Sequence, residues 1–113
     1  MADLTDLEAT RLCAQAMRIA VNLRPIRGTI MRYWFMDGNV EREYDPLHDR
    51  AQWAELVERL ELSITYNPQG SPYWTVNSWG GNSKWSEAMD LPSAIVHCAA
   101  SIQLSRESGG KKP

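Results

Sequence analysis

Apolar positions along this chain fall into blocks whose period changes, and the changes mark the elements. Near the amino end Leu12, Ala16, Ile19, Ala20 and Leu23 recur at helical spacing, flanked by Cys13 and Met17. Thr5 with Glu8 three residues later is a capping-box pattern. Pro25 and Gly28 end the run, because proline disfavours helical geometry in the residue before it. The spacing predicts a helix over residues 6–22. Residues 29–36 are rich in β-branched, aromatic and other apolar side chains, and Asp37-Gly38 then offers the two positive-φ residues of a type I′ turn. That loop predicts a hairpin pairing Phe35 with Val40, Tyr33 with Arg42 and Met31 with Tyr44 on one mostly apolar face. Trp34 with Glu41 and Arg32 with Glu43 form the other, salt-bridged face.

The second half repeats the alternation of periods. Asp49 with Gln52 opens a helix near residues 50–60, whose apolar face is Trp53, Leu56, Val57 and Leu60. Leu62, Ile64 and Tyr66 alternate with Glu61, Ser63 and Thr65 as a short strand, which the turn cluster at residues 67–72 ends. Residues 73–79 alternate again, with Trp74 and Val76 on one face, and Gly80-Gly81 permits a tight turn into a brief strand near residues 84–87. Asp90 reads as an N-cap with Pro92 in the first turn, and Leu91, Ile95, Cys98, Ala99 and Ile102 form the stripe of a final helix. The order is α-β-β-α-β-β-β-α. It predicts an α+β fold in which an antiparallel sheet of about five strands is layered with three helices as an α/β/α sandwich. A single domain is expected over residues 1–106, with residues 107–113 a disordered tail.

Composition bounds this picture without changing it. A chain of 113 residues, 43% hydrophobic and 23% charged, is long enough to bury one core. No apolar run approaches the roughly 18 residues that span a bilayer, and the opening segment has no basic region followed by an apolar stretch. No membrane association and no secretory signal are therefore expected. Cys13 and Cys98 lie within helical patterns, which fits reduced, buried thiols in a cytoplasmic protein, although a disulfide would be open to them if the terminal helices touch. The net charge of −2 hides an asymmetry: residues 11–36 carry five arginines and no acid, whereas residues 37–62 carry eight acids against three arginines. The expected outcome is mutual neutralisation across the fold. A net basic balance is missing, so nucleic acid is not an expected partner.

At this point particular residues carry a family resemblance. They are Tyr44-Asp45-Pro46-Leu47-His48-Asp49, the helix bearing Ala51, Ala54, Leu56 and Val57, then Trp74-Thr75-Val76, and Asp90-Leu91-Pro92-Ser93-Ala94-Ile95. Over residues 5–106 the pattern resembles the phage ABA sandwich domain family of small bacteriophage proteins. The resemblance implies a viral accessory protein working in a bacterial host cytoplasm, with a helix–sheet–helix sandwich and no catalytic motif to carry over. The tryptophan-rich stretch around Trp79 and Trp85 departs from the family.

Chemistry-bearing residues are sparse. His48 and His97 are the only histidines, and no Cys/His pair has metal-ligand spacing, so neither a metal nor a cofactor is expected. His48 has Asp45 and Asp49 nearby but no nucleophile beside it in sequence, and no glycine cluster leads into a phosphate loop. A non-enzymatic protein is the expectation. Residues 66–85 stand apart: Tyr66, Tyr73, Trp74, Trp79 and Trp85 lie among small polar residues with Lys84 and no acid, the composition of a recognition surface. Trp74 and Trp85 are expected to face the core and Trp79 to be exposed. The candidate binding residues are Trp79, Tyr73, Trp85, Tyr66 and Lys84, joined by Arg27 and Arg32. The function these imply is capture of a host protein, as a counter-defence factor. The alternative is a binder that sequesters a nucleotide-like ligand between these aromatics and the arginines of residues 24–32. Self-association into a homo-oligomer is a further open alternative.

Overall fold

The first helix stops a turn and a half earlier than its apolar spacing suggests, and the reason lies in one residue. The computed structural model describes residues 5–28, 30–70, 72–78 and 85–109, of which residues 108 and 109 are described as backbone only. Helix α1 covers Asp6–Ala16 and is capped by Thr5, whose Oγ1 accepts the Glu8 N–H at 3.1 Å and donates to Glu8 Oε1 at 3.0 Å. At its other end Arg18 adopts φ +59°, its N–H donates to the Gln15 carbonyl at 3.1 Å, and the Ile19 N–H reaches the Ala14 carbonyl at 2.8 Å. This pair of bonds is a Schellman closure with arginine at the left-handed position glycine usually takes. Without that glycine signal the pattern reads on as helix to residue 22; instead the chain turns into a strand.

That strand, β1 (Asn22–Arg27), is missing from the sequence expectation. It pairs antiparallel with β2 (Ile30–Asp37), which pairs with β3 (Val40–Tyr44), giving a three-stranded sheet in the order β1-β2-β3. Every residue of β1 is exposed, so burial imposes no two-residue alternation on it, and Pro25 sits in it because an edge strand tolerates a missing N–H. The hairpin register also differs from expectation. Asp37 pairs with Val40, Phe35 with Arg42, Trp34 with Glu43 and Tyr33 with Tyr44. The loop is Gly38-Asn39, with positive φ (+66°) at Gly38 but not at Asn39, as a type II′ turn requires. Asp37 stays in the strand, where its Oδ2 accepts from Arg42 Nε at 2.8 Å.

Helix α2 (Arg50–Arg59) is capped by Asp49, which accepts the Gln52 N–H at 3.2 Å, and it ends where Glu61 takes φ +53°. Then follow β4 (Leu62–Asn67), β5 (Tyr73–Ser78) and β6 (Trp85–Ala88), a second antiparallel sheet in the order β4-β5-β6. Helix α3 (Leu91–Gly109) begins at Asp90, whose Oδ2 accepts the Ser93 N–H at 3.1 Å, and it continues into the segment expected as a tail. The described residues therefore form an α+β fold with two three-stranded sheets in place of one sheet of about five strands.

The packing order also differs from a sheet enclosed by helices. Helix α3 lies on β5 and β6, α2 on β4, α1 on α3, and β2 on α1. Among the described residues the helices thus pack between the two sheets. Residues Ala94, Ile95, Val96, Cys98, Ala99 and Ala100 of α3 are all fully buried, more than one stripe of the helix, as its central place demands. One core joins these to Leu12 and Cys13 of α1, Leu56 of α2, Tyr33 and Tyr44 of the first sheet, and Leu62 and Val76 of the second. Fully burying Leu12, Leu56 or Ile95 contributes about 1.5–3 kcal/mol each. Both cysteines are buried thiols in this core, Cys13 Sγ donating to the Val96 carbonyl at 3.3 Å across the α1–α3 contact.

Candidate protein-binding face

The second sheet divides its residues cleanly because strand side chains alternate. Register sets Leu62, Ile64, Tyr66, Trp74, Val76 and Ala88 on the side facing the helices. The opposite side carries Ser63, Thr65, Asn67, Tyr73, Thr75, Asn77, Trp85 and Glu87, and among the described residues no element packs over it. Trp85, expected in the core, is 61% exposed there. It lies beside Asn77, while Tyr73 lies four residues back along the same strand, so the two aromatics stand about 14 Å apart. Between them is a floor of short hydroxyl and amide side chains. Asn67 Nδ2 donates to Thr75 Oγ1 at 3.0 Å, which holds part of that floor in place.

The segment 66–85 is thus shared between two faces. Tyr66 stacks on Trp74 at 4.7 Å between ring centroids and 46° between planes, at the margin of the helix-facing side, where Tyr66 remains half exposed. Trp74 packs against the core, as its alternation predicts. Trp79 and Lys84 lie outside the described residues. Arg27 and Arg32 belong to the first sheet, Arg27 opposite Ile30 at the exposed end of β1, so neither joins Tyr66, Tyr73 or Trp85 in a common surface.

One face of the first sheet carries its own charged side chains. Arg24 lies over the Trp34 ring, 5.2 Å from its centroid, and forms an ion pair with Glu41; Arg32 Nε lies 3.5 Å from Glu43 Oε2. These pairs join two arginines of the basic stretch to two acids of the acidic one. Arg24 was among the arginines of residues 24–32 expected to hold a nucleotide-like ligand; the strand places it instead over Trp34 and beside Glu41. Pro25 ended the expected helix, and an edge strand accepts it where a helix does not, but the strand itself was not expected.

Other reactive groups are placed as follows. His48 Nδ1 lies 2.8 Å from Asp45 Oδ2, and both line a cavity of about 300 Å³ with Tyr33, Tyr44 and Arg32. His97 is partly buried on α3, with its carbonyl accepting from Ser101 Oγ at 2.9 Å. Burial pushes the Cys98 thiol up to about 11 and Cys13 higher still, with Cys98 adding to the effect on Cys13; both stay protonated and unreactive at neutral pH. Among the described residues no three His, Cys, Asp or Glu side chains converge on a metal position, and no helix is long and apolar enough to cross a membrane. No family model, no curated protein and no solved structure matches this chain.

Proposed function

We propose that this chain is a non-catalytic binding protein that captures a protein partner on the outer face of its second sheet. The observation that carries the reading is Trp85, 61% exposed on an uncovered polar face with Tyr73 at its other end. An exposed tryptophan beside adaptable hydroxyl and amide groups is the composition of an energetic anchor in protein recognition. On the resemblance to phage sandwich proteins, the partner is a host protein of the bacterial cytoplasm and its capture blunts a host defence. The nucleotide-like alternative is less well supported, because the arginines and aromatics it needs lie on different sheets.

Quantitative capture from a bacterial lysate tests the reading, comparing the native chain with Trp85→Ala, Tyr73→Ala and Met36→Ala. Met36 is 60% exposed on the other sheet and serves as the control. Loss of an anchor costs about 2 kcal/mol or more, so the Trp85 variant should weaken the retained partner by roughly thirtyfold. Undiminished capture by a folded Trp85→Ala, Tyr73→Ala double variant would sink the assignment.

A further inference from the structure

A second site of different chemistry lies where three helices end. The carboxyl-terminal ends of α1, α2 and α3 enclose an open cavity of about 580 Å³, into which the chain brings Arg18, Arg59 and Arg106 together with Gln15, Gln103 and Glu107. We infer that this cavity binds a small phosphorylated molecule through its phosphate groups.

Arginines in a last helical turn ordinarily complement the carbonyl end of the helix, and that role accounts for part of what is seen here. Arg106 Nη1 reaches the Ala16 carbonyl of α1, but at 3.4 Å. Arg59 Nη1 lies 3.4 Å from Glu55 Oε1. Both contacts are at the long limit of a hydrogen bond, and each guanidinium has five donors. Among the described residues most of that capacity is therefore unspent. Arg18 has no ion pair among the described residues, and the end of α1 does not need one, since the N–H groups of Met17, Arg18 and Ile19 already close it. The left-handed backbone at Arg18 fixes the root of its side chain at the cavity's edge.

Charge and shape narrow the ligand. Among the described residues Glu107 is the sole carboxylate in the lining, and it accepts from Gln103 Nε2 at 3.3 Å; with Glu55 beside Arg59, the three cations still outnumber the acids near them. No aromatic side chain of the described residues lines the cavity, which leaves nothing to stack a base or ring. Recognition must come from charge and from the fork geometry in which guanidinium meets phosphate. Because all three arginines are exposed, each contact with a single negative charge is worth little. A ligand presenting several charges to all three at once is what the arrangement can hold. This site is independent of the aromatic face on the second sheet.

Titration of the intact chain with inorganic pyrophosphate, by calorimetry and by NMR of the arginine Nε–H signals, tests the inference. Saturable one-to-one binding is expected, with shifts at Arg18, Arg59 and Arg106. Arg18→Gln and Arg59→Gln should each weaken binding by about tenfold, while Arg24→Gln on the first sheet should leave it unchanged. Both residues at the cavity are exposed, so these variants should keep the native circular dichroism spectrum, and that spectrum is recorded for each. Failure to saturate at millimolar pyrophosphate would overturn the site. An equal loss with Arg24→Gln would do so too, by reducing the effect to overall charge. Citrate binding as tightly as pyrophosphate would overturn the assignment to phosphate.

Discussion

Arg18 and Glu61 each stand in the left-handed region, at φ +59° and +53°, just beyond the ends of α1 and α2. Glycine is the usual occupant of such a position, and its absence is why a reader of residues overruns the first helix. Burial acts at the same scale on the titrating groups. The Cys98 thiol rises from 9.0 to about 11; Cys13 rises further, by burial and then by Cys98, and Tyr44 rises by burial and then by Cys13 and Glu55. For such groups the fold favours the protonated form, so their contribution is complete below pH 9 and is lost as pH climbs through 11 and beyond. Urea denaturation at constant ionic strength should therefore show a falling midpoint across pH 9–11 and a flat one across pH 7–8.5. A Cys13→Ala, Cys98→Ala variant, whatever its starting stability, should show a shallower alkaline fall. An unchanged slope would mean that the thiols do not contribute.

At the scale of the element, the hairpin shows which errors a sequence pattern can absorb. The expected register pairs Tyr33 with Arg42, whereas the structure pairs it with Tyr44, a slip of two residues. A slip of one would have turned every side chain to the wrong face; a slip of two leaves each on its own. So Tyr33 and Phe35 face inward and Trp34 outward in either register, and only the turn and the cross-strand partners change. Part of what selects the register lies outside the hairpin. Gln52 of α2 accepts the Asp45 N–H on its Oε1 at 2.6 Å and donates from Nε2 to the Glu43 carbonyl at 2.9 Å, pinning the end of β3 as a neighbouring strand would. Two part-buried hydrogen bonds at about 1 kcal/mol each put the cost of Gln52→Ala near 2 kcal/mol. Amide exchange should accelerate at Asp45 and along β3 in that variant, while the amides of β5 keep their protection in proportion to global stability. Unaltered exchange at Asp45 would remove this role from Gln52.

Across the whole molecule the deciding feature is the contact between the terminal helices. Helix α1 offers Ala9, Cys13 and Ala14, and α3 offers Ala94, Cys98, Ala99 and Ala100, all fully buried. Small side chains let two helices approach closely while α3 still covers the second sheet with its other side. Enlarging this layer should strain it: Ala99→Leu is expected to cost about 1–3 kcal/mol. Thermal unfolding would register that as a fall in Tm of several degrees or more. An Ala99→Leu variant as stable as the native chain would show the layer to be loosely packed.

What residues alone determined here is local. The three helix starts at Thr5, Asp49 and Asp90 are side-chain caps acting within four residues, and the faces of β2 to β5 follow from a period of two. The composition of residues 66–85 did not reveal how they divide between faces, with Tyr66 toward the helices and Tyr73 and Trp85 away. Tertiary structure decided the rest. It made a strand of Asn22–Arg27, an exposed edge held in place by its pairing with β2. It split the strands into two sheets, because α3 can cover only one of them while α1 carries the other. It also brought Arg18, Arg59 and Arg106 to one cavity from three distant parts of the chain. Periodicity and capping act over a few residues and are written locally, whereas the meeting of helix ends depends on how whole elements pack.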